Sequence, residues 1–331
     1  MDVRKLLWEA AGADRPQALP ILSFPAVQKM QVSVEDLVKD AGLQAQAMAI
    51  IAQQTPTLAA VSLMDLSIEA EAFGASVRFF KNEVPAVTGQ LIEDMEGAQA
   101  LEIPDLTAAR IPTALEGIRL AKASITHKPL LAGMIGPFSL AGRLMDVTEV
   151  MYLCFDEPEA VHEVLEKASQ FLIAYGTALR QAGAVGIMMA EPLAGILSPD
   201  LAREFSVPYV TKIIAALQTE DFAVLYHNCG NSVASMLDGI FSQGAAAYHF
   251  GNAVDMETVL AAAPADALCM GNLDPASQLT NGTPESVEAA TRELMAKCGK
   301  YPNFIPSSGC DIPAHARWEN IEAFFRTLDN L

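Results

Sequence analysis

Eight short apolar runs recur along this chain, and almost every one is followed by a longer stretch with helical spacing. The runs cover residues 19–24, 58–65, 130–135, 185–190, 223–227, 245–250, 267–271 and 303–307. Most are continuous rather than alternating, which is the pattern of parallel strands buried on both faces. Between them, residues 157–182 place Val161, Val164, Leu165, Ala168 and Leu172 three or four apart, as one face of a helix requires. Residues 233–241, 256–262 and 284–298 read the same way, 320–331 makes a closing helix, and Pro264 and Pro284 punctuate them. With 331 residues and no internal repeat or linker, the expected architecture is α/β: a single (β/α)8 TIM-type barrel over residues 1–331. A doubly wound open sheet is the competitor, but no G-x-G-x-x-G follows the early strands.

Chemistry in such barrels sits at the C-terminal mouth of the strands. His227-Asn228-Cys229 closes the fifth run, and residues two apart on an extended chain face the same way. Cys310, in Ser307-Ser308-Gly309-Cys310-Asp311, follows the eighth run about eighty residues later. Three soft donors with one open position are the arrangement of catalytic zinc, whereas structural zinc closes all four. The bland reading is two buried cysteines and a satisfied histidine. Cys154, Cys269 and Cys298 have no such company and read as structural thiols.

Two acids are expected to serve the site. Glu191 follows the fourth run and precedes Pro192, which suggests a fourth metal ligand or a base for an incoming thiol, against a plain loop acid. Asp65 ends the second run, where it is either functional or a cap for the helix that follows. Glu69 and Glu71 read as solvated or capping; His249, ending the sixth run, is a weaker candidate of the same kind as Glu191, with a core or loop histidine the favoured reading; and Asn272 with Asp274 read as turn formers, with a pocket contact as the option.

The formal charge of −19 and pI near 4.6 argue against nucleic acid or an anionic membrane as partner. No apolar run is long enough to span a bilayer, and residues 1–16 lack the apolar segment of a secretory signal. Five cysteines without paired spacing suit a reducing compartment, so the cytoplasm is expected.

Several ordered fragments carry a resemblance: Asp14-Arg15-Pro16, MDLSIEAEAFG at 64–74, GPFSL at 136–140, GNLDP at 271–275, and residues 309–325. Together they resemble the uroporphyrinogen decarboxylase superfamily over essentially the whole chain. Within it, the chain is most similar to the zinc-dependent, corrinoid-linked methyltransferases, such as the methylcobamide:coenzyme M enzymes. The resemblance implies Zn2+ on His227, Cys229 and Cys310, which match the H-x-C…C motif, and a thiol made nucleophilic there. It implies a methylcobamide as methyl carrier, and a separate corrinoid protein must bring it, because this chain has no D-x-H-x-x-G motif.

The departures from the decarboxylase matter. Residues 24–40, where that enzyme has an arginine-rich loop for its tetracarboxylic substrate, contain no arginine here, and Cys310 stands where decarboxylases carry histidine. Asp65 matches the decarboxylase's catalytic aspartate and is expected to shape the pocket or hold the acceptor. The alternative runs in reverse: a methylated small molecule, such as a methoxyaromatic, donates its methyl to the corrinoid protein. Uroporphyrinogen decarboxylation and a non-catalytic zinc- or corrinoid-binding role follow behind. Arg78, Lys81 and Arg143 lie near expected loops, but none is singled out for the acceptor.

Overall fold

The computed structural model describes residues 2–331. The apolar runs become β1 (Ala60–Val61), β4 (Leu130–Ile135), β5 (Gly186–Ala190), β6 (Ala223–Asn228), β7 (Ala247–Phe250), β8 (Cys269–Leu273) and β9 (Phe304–Ser308). They pair parallel in that order, each strand beside the next in sequence. A separate antiparallel hairpin, β2 (Ser76–Arg78) and β3 (Ala86–Thr88), lies outside this sheet. The sheet curls into the (β/α)8 TIM-type barrel.

The first expected strand is corrected. Residues 19–23 have no regular secondary structure, Phe24 opens a turn, and the segment forms no ladder. The segment still closes the barrel between its first and last strands: Leu58 N–H donates to the Ala18 carbonyl at 2.9 Å, and Leu19 N–H to the Pro306 carbonyl at 3.2 Å. Pro20 and Pro306 each lack an N–H, so a regular ladder cannot form there. A side chain substitutes at the next step, where Ile21 N–H donates to Ser308 Oγ at 3.1 Å. The second run also shortens. Ser62 N–H still reaches the Leu131 carbonyl at 2.9 Å, but the Ser62 hydroxyl takes the Gly133 N–H at 2.8 Å.

Alternate residues of the strands divide between two cores. Val61, Leu131, Met188, Ala190, Leu225, Ala247, Met270 and Ile305 pack together in the barrel lumen. Their neighbours Ala132, Ile187, Met189, Val224, Tyr226, Tyr248, Cys269 and Phe304 pack outward against the helices. Helix Val3–Ala11 adds Val3, Leu7 and Ala10 to the lumen cluster, beside Ala59, Ala223, Ala246 and Leu268 at the strand starts. The N-terminal end of the barrel is thereby plugged, which leaves the opposite end for a site.

Helix Pro158–Ala182 buries Val161, Val164, Leu165, Ala168 and Leu172 as their spacing requires, and stops at Gly183 with φ +116°. Each fully buried Val or Leu of this kind contributes about 1.5–3 kcal/mol. Helices Met256–Ala262 and Pro284–Cys298 match expectation, and the closing helix is Trp318–Asp329. The expected helix at 233–241 splits into a 3-10 turn, Val233–Ser235, and a short helix, Leu237–Phe241.

The arginine-free stretch folds as helices Ala26–Met30 and Val34–Lys39. Gln28 Nε2 donates to the carbonyls of Ala314 and Ala316 at 2.7 and 2.8 Å, and Trp318 Nε1 to that of Pro25 at 3.1 Å. These bonds hold the stretch beside the loop that follows Cys310. Among the described residues, no helix is long and apolar enough to cross a membrane.

Candidate metal centre

His227 lies two residues beyond Leu225 on β6, so it faces the lumen at the C-terminal end. Cys229 follows one residue after the strand. The intervening Asn228 holds that turn with both ends of its amide, donating to Tyr226 Oη at 2.9 Å and accepting from Gly230 N–H at 3.0 Å. Cys310 arrives on the loop after β9, where Gly309 N–H donates to the Leu273 carbonyl at 2.6 Å. Gly251 permits the close approach of the neighbouring loop, because a Cβ there would sit 2.5 Å from Cys229 Cα.

The donor atoms of His227, Cys229 and Cys310 all lie within 4.8 Å of one another. Cys310 Sγ is 3.8 Å from Cys229 Sγ and 3.6 Å from His227 Nε2. For a tetrahedral zinc with ordinary bond lengths, two sulfurs stand ~3.8 Å apart, and a sulfur and a nitrogen ~3.6 Å apart. The residues therefore fit the ion in both chemistry and spacing. Among the described residues, no other His, Cys, Asp or Glu belongs to this group.

The two thiols are hydrogen-bonded. Cys310 donates to Cys229, which holds the Cys229 thiol below its usual range despite burial. The Cys310 thiol is pushed up to about 12 by that same bond and then by burial. A divalent cation would displace the thiol protons, and two thiolates would neutralise its charge in a site of low dielectric. Asp311 follows with one carboxylate oxygen buried and unbonded; burial first, then Cys310, holds its carboxyl well above the usual range.

Behind His227 stands His249, its register partner on β7, with Nδ1 of each ring 2.8 Å from the other. His249 Nε2 is 2.7 Å from Ser307 Oγ, which is 2.7 Å from the Leu19 carbonyl. Burial, reinforced by His227, holds the His249 ring well below the usual imidazole range. The sequence favoured a core or loop role for His249 over a functional one; its place at the end of an apolar run, as for His227, was the available signal.

Glu191 is not brought to the triad. It is fully buried, and its carboxylate accepts the Phe138 and Ser139 N–H groups at 3.0 and 2.6 Å. It thus caps helix Pro137–Met145, whose own N-cap, Gly136, has no side chain to do so. Burial pushes its carboxyl up to about 7, with the bonds from Ser139 and Phe138 opposing. Its own N–H donates to the His227 carbonyl at 2.8 Å, tying the end of β5 to β6.

Asp65 also sits apart from the triad. Its Oδ1 accepts from Ser67 N–H and Oγ at 3.1 and 2.6 Å, and its Oδ2 is ion-paired with Arg110. Arg110 also pairs with Glu71, donates to Ser67 Oγ at 2.8 Å, and lies over the Phe79 ring at 4.9 Å. Glu69, expected to be solvated or capping, is instead buried: Oε1 accepts from Ile135 N–H at 3.0 Å, while Oε2 has no partner. Its carboxyl is pushed up to about 7, chiefly by burial. Beside Glu69 lies a cavity of about 20 Å³ lined by Gln44, Asp65 and Tyr175, with room for one water molecule. Arg110 was missed because its contacts with Asp65 and Glu71 span about forty residues, a distance no local pattern encodes.

A family model described as uroporphyrinogen decarboxylase matches residues 15–331. The methylcobamide:CoM methyltransferase MtbA of Methanosarcina mazei is 28% identical, covering 96% of this chain and 94% of that protein. The uroporphyrinogen decarboxylase of Desulfotalea psychrophila is 30% identical over 76% of this chain and 75% of its own. Among solved structures, a methyltransferase from Methanosarcina mazei superposes with a TM-score of 0.89 at 22% identity, covering 100% of this chain and 99% of that one.

Proposed function

Because the chain belongs to the uroporphyrinogen decarboxylase family and is a methyltransferase, we propose that it moves a methyl group from a methylcobamide to a thiol. In this reading a separate corrinoid protein presents the methylcobamide at the barrel mouth, and His227, Cys229 and Cys310 hold the zinc that activates the thiol. The observation that carries the reading is the spacing of their donor atoms, 3.8 Å between sulfurs and 3.6 Å from sulfur to Nε2.

Zinc bound there supplies positive charge that lowers the pKa of an incoming thiol and holds its sulfur for attack on a methyl group. The protein's part is placement. β6 with the turn after it and the loop after β9 fix three donors from two distant parts of the chain, and zinc held by three donors would have a fourth position available for a thiol. Cys229 and Cys310 would bind the ion as thiolates, their protons released to solvent, while His227 would contribute a neutral donor. All five cysteines are free, in keeping with a reducing, cytoplasmic setting.

Decarboxylation of a tetra-anion is disfavoured by the same site. Residues 24–40, packed beside the Cys310 loop, carry no guanidinium to bind carboxylates, and the chain's charge of −19 repels them.

The test uses zinc-loaded protein, methylcobalamin and a panel of thiols including coenzyme M, following the cobalt spectrum. Demethylation with at least one thiol, lost in Cys310→Ala, is expected. No demethylation with any thiol, joined to methyl-cobalt formation from a methoxyaromatic and Co(I) corrinoid, would replace this reading with the reverse direction.

A further inference from the structure

We propose that His249 and Ser307 are positioning residues of the metal centre: with the Leu19 carbonyl they form a hydrogen-bond chain that fixes His227 in its metal-binding tautomer. The inference rests on the zinc reading above and concerns how the chain prepares that site before any ion arrives.

The direction of every link follows from its fixed end. The Leu19 carbonyl oxygen carries no hydrogen, so in its 2.7 Å contact the Ser307 hydroxyl must donate. That uses the only hydrogen on Ser307 Oγ. In the next contact, 2.7 Å long, His249 Nε2 must therefore carry the proton and Ser307 accept. Two imidazole nitrogens at 2.8 Å then need one donor and one acceptor between His249 Nδ1 and His227 Nδ1.

A doubly protonated His249 would be a wholly buried cation whose ring nitrogens bond a hydroxyl and another imidazole, with no anion on either. Neutral His249 accepts at Nδ1 instead, so His227 donates from Nδ1. Nε2 of His227 is left with its lone pair, and Nε2 is the atom facing Cys310 Sγ at 3.6 Å. The outer hydrogen bond to a ligating histidine decides which nitrogen can bind metal.

The fold explains why the chain can span the barrel. Leu225, Ala247 and Ile305 face the lumen, so His227, His249 and Ser307, each two residues on, face it as well. The last link is the carbonyl of Leu19, in the segment that closes the barrel without a ladder. That gap in regular pairing leaves the carbonyl available to a side chain.

The experiment is side-chain 15N NMR of the histidines in metal-free protein, together with zinc affinity by chelator competition. His227 protonated at Nδ1 and His249 at Nε2 are the expected spectra. Ser307→Ala should mix the tautomers and weaken zinc binding about 10–100-fold, and Ser307→Thr, which keeps the hydroxyl, should restore both. A wild-type spectrum with His227 protonated at Nε2 overturns the proposal even if no variant folds. So does unchanged zinc affinity in a folded Ser307→Ala. Wild-type protein that takes up no zinc would remove the centre itself, and the role with it, whatever tautomers the spectra report.

Discussion

Arg110 is ion-paired with Asp65 across 45 residues of sequence, and both side chains are almost wholly buried. The carboxylate for which the resemblance to decarboxylases suggests a role is thus held in place by a cation that no motif announced. Removing one partner of a buried pair strands the other as an uncompensated charge. Arg110→Ala is expected to lose about 3–5 kcal/mol in denaturant unfolding. In an Asp65→Asn background the same change should cost much less, and simple additivity of the two would show that the pair is not coupled.

Glu69 should make stability depend on pH. Its carboxyl, raised to about 7 by burial, keeps a proton that the unfolded chain releases near its ordinary 4.5. The folded state therefore binds more protons across that window, and the group's contribution to stability falls as pH rises from 4.5 to about 7, then levels off. Glu69→Gln removes this slope. Compared with wild type, the variant should gain up to about 3 kcal/mol between pH 5 and pH 8 in urea unfolding. A constant difference between the two proteins at both pH values would contradict the burial argument.

Metal content should track the triad and nothing else. Purified protein is expected to hold close to one zinc per chain by elemental analysis, with Cys229→Ala and Cys310→Ala losing it and Cys154→Ala, in the outer core, retaining it. Because the ion binds only the folded chain, stripping it with a chelator should lower the melting temperature of wild type and leave the two triad variants unmoved. Equal zinc in all four proteins would place the ion elsewhere.

Gly251 offers a test that spares every donor atom. A methyl group there would meet the Cys229 main chain at 2.5 Å, so Gly251→Ala must push one loop away from the other. Overpacking of this kind costs about 1–3 kcal/mol. Because it falls on the loop carrying a ligand, zinc affinity should drop at least about tenfold while the barrel still folds, by circular dichroism. Unchanged affinity would mean that the loop absorbs the displacement without moving Cys229.

Much of the fold was legible because it is written in periodicities. Helix Pro158–Ala182 could be read from Val161, Val164, Leu165, Ala168 and Leu172, and six strands from unbroken apolar runs, since both patterns record burial residue by residue. Residues 19–24 misled for a physical reason: apolar content reports burial, but a ladder also needs N–H groups, and Pro20 and Pro306 supply none. Asp65 and Glu191 were visible as acids at strand ends, whereas their bonding partners were not.

By itself, then, the chain's order of residues determined the alternation that builds the barrel and the His-x-Cys spacing that aims His227 and Cys229 one way. Both are local, because strand and helix geometry repeat every few residues. Cys310 was named from the sequence as the third donor, but only the tertiary structure decided how near it comes to the other two, that His249 and Ser307 stand behind His227, that Arg110 holds Asp65, and that Glu191 turns to a helix N-terminus. Each of those is a contact between segments far apart in sequence, set by how the barrel closes and by which carbonyls and N–H groups its strands leave unpaired.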